Sequence, residues 1–152
     1  LLGFPDSERP PMFDYLKVKY VENGTFILSQ GESVNKAVTE NNVPNDFGIY
    51  LIYADKEVVD NLVYVGKAGS VASDGSSKKQ GLSKRLVNQH SGMKRSEYFV
   101  KYMADNSTDL VFHWFKTYDE LTKAVIPALA EAEVIQQSFL EYRKLPELNE
   151  SF

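Results

Sequence analysis

Two short stretches decide the fold of this chain: Phe47–Tyr53, which reads FGIYLIY, and Leu62–Gly66, which reads LVYVG. Both are rich in β-branched and aromatic residues, which suit a pleated surface, so each predicts a β-strand. The polar segment Asp55–Asn61 joins them. Because so short a connection favours the pairing of consecutive strands, we predict an antiparallel hairpin.

Weaker signals on either side of this hairpin complete the secondary structure. Pro127 lies inside a long helical pattern, and proline is best tolerated in the first turn of a helix, so we expect a kink or a new helix near Ile126. The apolar spacing predicts further strands over Phe13–Tyr20, Thr25–Leu28 and Asp109–Phe115, and helices over Ser33–Glu40, Leu82–His90, Ser96–Met103 and Asp119–Lys144. This order predicts an α+β domain with a small central antiparallel or mixed β-sheet flanked by helices. We place the domain at residues 46–152, after an N-terminal extension over residues 1–45.

The composition narrows the classes of protein to which the chain can belong. Its 152 residues, 43% apolar and 25% charged, are typical of one globular domain. The absence of cysteine excludes a disulfide scaffold, a thiolate zinc site and a cysteine nucleophile, and two histidines leave little for a histidine-rich metal site. No apolar run approaches the roughly 20 residues that span a bilayer, and no signal-peptide pattern opens the chain. We therefore expect an intracellular (cytoplasmic) protein that has no membrane partner.

The charge of the chain is unevenly distributed. The net charge is −4, but the stretch from Lys67 to Lys101 holds eight basic and two acidic residues, a net charge of +6. The rest of the chain carries −10. A basic band on an acidic body allows local binding of phosphate groups, so nucleic acid stays among the possible partners.

Several short motifs follow one another in a fixed order. Gly48–Tyr50 is followed, after thirteen residues, by Tyr64–Ala68, which reads YVGKA. Leu82–Leu86, which reads LSKRL, and Pro146–Asn149, which reads PELN, come later. This ordered set resembles the GIY-YIG nuclease family, and the YVGKA run is similar to the N-terminal incision domain of the excision-repair nuclease C subunit.

The resemblance covers residues 46–150 and leaves the first 45 outside it. The two tyrosine triplets are slightly further apart than is usual in the family. The segment between Tyr64 and Arg85 is also longer than in the compact repair domains, with Gly69–Gln80 as the insertion. Insertions of this kind fall in surface loops, where they leave the strands and helices of a fold unchanged.

The resemblance implies an endonuclease that hydrolyses phosphodiester bonds of DNA. Such a reaction needs a positioned water, a base for its proton and cationic groups around the phosphorus transition state. Tyr64 is expected to act on the water, with the help of Tyr50 and Lys67. Arg85 is expected to stabilise the transition state, because its planar guanidinium fits a phosphate better than an ammonium does. Asn149 is expected to support the site.

The resemblance also implies one divalent cation, Mg²⁺ or Mn²⁺, bound by a glutamate of the last long helix. The run Ala130–Ile135 matches the family pattern with Glu131. We predict an apolar stripe on this helix, with Glu131 at its edge and Glu133 toward solvent. Glu133 stays a rival ligand, as does Gln136, whose distance from Asn149 suits the repair domains better. The predicted stripe is Ala128, Ala132, Ile135, Phe139 and Tyr142.

Other interpretations remain open. The chain is alternatively a catalytically inactive module that uses this fold to bind nucleic acid or protein, or a restriction-type nuclease. His90 is expected to cap the helix that carries Arg85, and the pair His113–Trp114 is expected to pack in the core. Lys78 and Lys79, in the insertion, are expected to touch the DNA backbone. The sequence indicates neither an oligomeric state nor a cut site.

Overall fold

A four-stranded antiparallel sheet forms the centre of the protein, as the computed structural model shows. The structure describes residues 13–74, 76–78, 81–87, 89–90, 93–119, 121 and 124–142. In these ranges the helices are α1 Asp14–Lys19, α2 Val34–Glu40, α3 Leu82–Val87, α4 Arg95–Asn106 and α5 Pro127–Tyr142. The strands are β1 Asn23–Leu28, β2 Phe47–Ala54, β3 Leu62–Ala68, β4 Ser70–Val71, β5 Ser77–Lys78, β6 Gln89–His90, β7 Met93–Lys94 and β8 Leu110–Tyr118. No helix of these ranges is long and apolar enough to cross a bilayer.

The central sheet has the strand order β1-β8-β2-β3. The predicted hairpin is confirmed, because β2 pairs antiparallel with β3. Strand β8 lies between β1 and β2 and pairs antiparallel with both. Seven of the eight residues of β2 are buried, so its two faces are both covered. This explains why β2 is an unbroken apolar run and does not alternate with polar residues. The antiparallel sheet and the five α-helices of the described residues confirm the predicted α+β class.

Helices cover the two faces of the sheet in two groups. Helices α2, α3 and α4 pack on the face that carries Tyr50 and Tyr64, which we call the tyrosine face. Helices α1 and α5 pack on the other face, which we call the opposite face. Since side chains of a strand point alternately to either side, the residues of β2, β3 and β8 are assigned to one face by their parity, apart from the register shifts at Ile52–Tyr53 and Phe47–Gly48.

The segment predicted as an N-terminal extension supplies an edge strand of this sheet. Thr25–Leu28 lies in β1, as expected, and β1 pairs with β8 over six residue pairs. Ser33 caps α2 as predicted, since its hydroxyl accepts a hydrogen bond from the amide of Lys36 at 3.4 Å.

The prediction of a strand over Phe13–Tyr20 is wrong, because Asp14–Lys19 forms α1. The buried residues Phe13, Leu16 and Tyr20 are three and four positions apart, which is the period of a helix and not of a strand. Acidic Asp14 in the first turn and basic Lys17 and Lys19 in the last turn also favour a helix.

The last helix begins at Pro127, as predicted, but buries a different stripe. Its buried side chains are Pro127, Ala130, Val134 and Ser138, whereas Ala128, Ala132 and Phe139, predicted for the stripe, are exposed. These small side chains let α5 lie close to β2 and β3. Helix α3 is also shorter than predicted, since it ends at Val87 and His90 lies in β6. The side chain of His90 lies outside the described part of the structure, so its expected role as a cap of that helix stays a prediction.

Gly48 gives a direct test of the central pairing. A Cβ atom built on Gly48 would lie 1.9 Å from the carbonyl oxygen of Phe115 in β8. Backbone cannot move away without breaking the sheet, so we expect Gly48→Ala to lower the free energy of unfolding by about 3 kcal/mol or more. Gly31→Ala is the matched control: its φ is +87° but open space surrounds it, so we expect a loss of about 1 kcal/mol. Urea unfolding measures both, and equal losses would contradict this account of Gly48.

Candidate active site

A row of four residues crosses the tyrosine face of the sheet. Gly24 of β1 pairs with Trp114 of β8, Trp114 pairs with Tyr50 of β2, and Tyr50 pairs with Gly66 of β3. The two large side chains stand in the middle and the two glycines stand on the edge strands. A Cβ atom on Gly24 would lie 2.8 Å from the Trp114 ring. The indole therefore leans over β1, away from Tyr50.

Gly66 accommodates both tyrosine rings of the predicted motif. A Cβ atom on Gly66 would lie 2.4 Å from Cζ of Tyr50, 2.6 Å from its hydroxyl oxygen and 2.7 Å from Cε2 of Tyr64. The ring centroids of Tyr50 and Tyr64 are 5.8 Å apart at an angle of 47°. The hydroxyl end of Tyr50 thus lies over the edge strand β3, beside Tyr64. Any side chain larger than hydrogen at position 66 would displace one ring or both.

The two tyrosines are held by the aromatic core. Tyr64 contacts Phe99 of α4, with ring centroids 6.3 Å apart, and Phe99 packs edge-on against Phe112 of β8. Tyr50 has no exposed surface and Tyr64 keeps 5% of its own. The rings are therefore fixed in place, and the helices of the tyrosine face cover most of their surface.

Helix α3, which carries Arg85, is attached to the chain just before β2. The amide of Leu82 donates to the carbonyl of Asp46 at 2.8 Å, and the amide of Ser83 donates to the carbonyl of Pro44 at 3.1 Å. Leu82 and Leu86 are fully buried against the tyrosine face. The backbone of Arg85 therefore belongs to a helix that packs beside Tyr50 and Tyr64. Its side chain lies outside the described part of the structure.

Lys67 does not join this group. It pairs with Ile49 and stands three residues after Tyr64 on β3, so the pleat turns it to the opposite face. Its neighbour Ala68 is buried in the core of the tyrosine face. The structure therefore separates Lys67 from the two hydroxyl groups that it was expected to assist.

Glu131 also stands apart from the tyrosines. It is half-buried, as predicted, but beside a stripe other than the predicted one, and α5 packs on the opposite face. Glu133 is exposed and forms an ion pair with Lys19 of α1 at 3.5 Å. Gln136 is exposed. The described residues thus do not assemble the predicted carboxylate site for Mg²⁺ or Mn²⁺ beside Tyr64, nor do they contain a cluster of three or more carboxylate or imidazole groups.

Lys116 is a charged residue of the tyrosine face that the sequence analysis did not single out. It pairs with Gly48, two residues along from Trp114 on β8. Its ammonium group lies 3.5 Å from Glu22, 3.9 Å from Asp46 and 3.9 Å from Asp119. The alternation of residues along β8 puts Lys116 on the same face as Trp114, whereas its position beside Gly48 depends on the pairing of β8 with β2, which the local sequence does not contain.

The structure describes the remaining predicted site residues only in part. Asn149 and Lys79 lie outside the described residues, as do the side chains of Lys78 and His90. Within the predicted insertion Gly69–Gln80, β4 and β5 pair to form a small hairpin.

Comparison of the chain with protein-family models, with curated proteins and with solved structures found no match. The resemblance to the GIY-YIG family therefore stays a prediction, and it rests on the residues of the motifs themselves.

The contact of Gly66 with Tyr50 gives a test of the site geometry. We expect Gly66→Ala to lower the free energy of unfolding by about 1–3 kcal/mol, because the new methyl group overlaps both rings. In a Tyr50→Leu background the cost should be smaller, since leucine lacks the Cζ and hydroxyl atoms that lie nearest. Gly31→Ala, in open space, should cost the same in both backgrounds. Urea unfolding of the six proteins measures this, and an unchanged cost of Gly66→Ala would refute the contact.

Proposed function

We propose that this protein is an endonuclease that hydrolyses phosphodiester bonds of DNA at its tyrosine face. One observation carries the proposal: Tyr50 and Tyr64 meet over Gly66 on adjacent strands, and the helix that carries Arg85 packs on that same face. Three positions of the motifs, Tyr50, Tyr64 and Gly66, are thus in contact with one another.

The chemistry follows from the groups at this face. A tyrosine hydroxyl orients the attacking water by a hydrogen bond. The water oxygen bonds to phosphorus while the bond to the leaving oxygen breaks, and the proton that the water loses passes through solvent to the leaving oxygen. The guanidinium of Arg85 offers paired donors to the phosphoryl oxygens as negative charge accumulates there. We assign the contact with the attacking water to Tyr64, which keeps some exposed surface. Tyr50, which is fully buried, has a supporting role.

The charge distribution supports a polyanionic substrate. Seven of the eight basic residues of the band from Lys67 to Lys101 follow β3 and precede β8. The described helices of this stretch, α3 and α4, both pack on the tyrosine face. A positive stretch beside the two tyrosines attracts the phosphate backbone, while the acidic remainder of the chain repels it.

A divalent ion remains part of the proposal only as something to be tested. The resemblance implies Mg²⁺ or Mn²⁺, and its chemistry would be neutralisation of the phosphate and of the leaving oxygen. Because Glu131 and the tyrosines are on different faces, we derive no step through such an ion.

The second candidate is a catalytically inactive module that binds DNA or protein. The observation that favours it is the burial of Tyr50 and Tyr64 together with the location of Lys67 and Glu131 on the opposite face. If the two tyrosines only pack in the core, Lys67 and Glu131 have no reason to lie beside them. Cleavage assays separate the two candidates.

We expect Tyr64→Phe and Arg85→Ala to reduce DNA cleavage by about 10²-fold or more, since each removes a group from the reacting phosphate or its water. Arg85→Lys should restore part of the activity, because it returns the charge without the planar fork. The assay follows nicking of supercoiled plasmid and cutting of branched and single-stranded DNA, with Mg²⁺, Mn²⁺ or EDTA.

Tyr15→Phe is the matched control, because it removes a hydroxyl group from α1 on the opposite face and should leave cleavage unchanged. If all substrates stay intact but DNA binding weakens with salt, the inactive module is the correct interpretation. If the protein neither cuts nor binds DNA, both candidates fail.

The two glutamates of α5 provide a separate test of the metal prediction. Since α5 packs on the opposite face, we expect Glu131→Gln and Glu133→Gln to leave cleavage and its dependence on Mg²⁺ concentration equally unaffected. Titration of the initial rate with Mg²⁺ and Mn²⁺ measures this. A loss confined to Glu131→Gln, of about 10²-fold, would place Glu131 at the reacting phosphate and contradict the separation of the two faces.

A further inference from the structure

A second polar cluster lies on the opposite face and takes no part in the proposed function. His113 of β8 is only 2% exposed, and its ring stacks on Phe115 with centroids 4.1 Å apart. Its Nδ1 lies 3.1 Å from a carboxylate oxygen of Glu57, in the connection between β2 and β3. Its Nε2 lies 2.9 Å from the side-chain oxygen of Asn23 in β1. Both ring nitrogens of this buried histidine are therefore engaged.

The orientation of the Asn23 amide fixes one of the two hydrogen bonds. Its nitrogen donates to the carbonyl oxygens of Tyr20 at 2.9 Å and of Val21 at 3.3 Å. The reversed amide would place its oxygen against those two carbonyl oxygens. The oxygen of Asn23 therefore faces His113, and Nε2 must carry a proton that it donates to this oxygen.

The other ring nitrogen faces an acceptor as well. The hydrogen bond from His113 lowers the pKa of the Glu57 carboxyl below its usual value, against the opposing effect of burial, and Lys17 adds to this. Lys17 of α1 lies 3.9 Å from the second carboxylate oxygen. A carboxylate against an unprotonated Nδ1 would bring two lone pairs together, so the pair requires a proton between them.

We propose that His113 is a buried imidazolium that acts as a pH-sensitive latch for the N-terminal segment Asp14–Leu28. The latch connects four elements, since His113 of β8 is bonded to Glu57 before β3 and to Asn23 of β1, while Glu57 is paired with Lys17 of α1. Loss of the shared proton leaves Glu57 facing a lone pair inside the protein and loosens α1 and β1 from the sheet.

The other titratable groups around the cluster do not replace this proton. Burial raises the pKa of Tyr53 on β2 far above its usual range, with Glu57 adding to the effect, so Tyr53 stays neutral. Lys17 has a second carboxylate, Asp14, at 4.0 Å, and this pair is exposed. From α5, Glu133 is paired with Lys19, beside Tyr20, and not with the histidine.

The direction of the pH dependence follows from proton binding. The folded cluster needs a proton on Nδ1 of His113 and the unfolded chain does not, so this stabilisation is present at low pH and is lost as the pH rises. For Glu57 the direction is reversed: its lowered pKa stabilises the fold above the usual value of 4.5, and this stabilisation is lost as the pH falls below that value. Rising pH therefore opens the latch by removing the shared proton, and acid below the usual pKa value of Glu57 weakens it by protonating the carboxylate.

Glu57→Gln is the variant that tests the latch. Its amide keeps the shape of the carboxylate, and its nitrogen donates to the unprotonated Nδ1 of a neutral His113, so the cluster no longer needs a second ring proton. In the wild-type protein we expect the melting temperature to fall by about 3 °C or more between pH 6 and pH 9. We expect hydrogen exchange of peptides from residues 14–28 to accelerate by about threefold or more beyond its intrinsic pH dependence. Both changes should disappear in Glu57→Gln.

His90→Gln is the matched control, because His90 is the other of the two histidines in the chain. It should keep the full pH dependence. Equal slopes in wild-type protein and Glu57→Gln, or a flat wild-type profile, would overturn the latch. If Glu57→Gln does not fold, ¹⁵N spectra of the wild-type imidazoles decide: two protonated ring nitrogens on His113 at pH 7 support the latch, and an unprotonated Nδ1 refutes it.

Discussion

The pairing of β2 with β8 is the constraint on which the rest of the structure depends. These two strands are the inner strands of the sheet, and both of their faces are buried. A strand pair buried on both faces needs cover on both faces, which α2, α3 and α4 supply on one side and α1 and α5 on the other. Because β2 and β8 are about sixty residues apart in the chain, these contacts form only after much of the chain is in place.

The sequence predicts the positions of the helices and strands in this core better than it predicts the side of the sheet on which each helix packs. The β2–β3 hairpin, β1, α2 and the start of α5 at Pro127 follow from residue preferences and turn chemistry that act over a few neighbours. The prediction of a strand over Phe13–Tyr20 is wrong because its buried residues have the spacing of a helix, although the segment also alternates loosely. The face on which a helix packs depends on contacts with distant strands, which no local pattern contains. The half-burial of Glu131 therefore follows from its helix, whereas its position on the other side of the sheet from the tyrosines does not follow from any local pattern.

In the candidate site, too, some positions follow from neighbouring residues in the sequence and others depend on contacts between distant parts of the chain. That Tyr50 and Tyr64 are neighbours follows from two adjacent strands, and the structure adds the reason for Gly66, whose missing side chain makes room for both rings. The position of Lys67, by contrast, follows from a local rule. A residue three positions after Tyr64 on a strand points to the other face, whatever chemistry its type suggests. The positions of the motif are thus necessary for the site but do not by themselves assemble it.

The hydrogen-bonded cluster around His113 and the row of four residues that crosses the tyrosine face both include a residue of β8. His113 and Trp114 are consecutive on β8, so their side chains lie on opposite faces of the sheet. His113 is part of the latch, and Trp114 is part of the row of four residues on the tyrosine face. Asn23 and Gly24 are likewise consecutive on β1: the first bonds to His113 and the second lies under the ring of Trp114. A loosened β1 would withdraw the surface under Trp114, which is the neighbour of Tyr50 across the sheet. The register of β1 therefore gives the proton on His113 a direct structural connection to the residues on which the proposed chemistry depends.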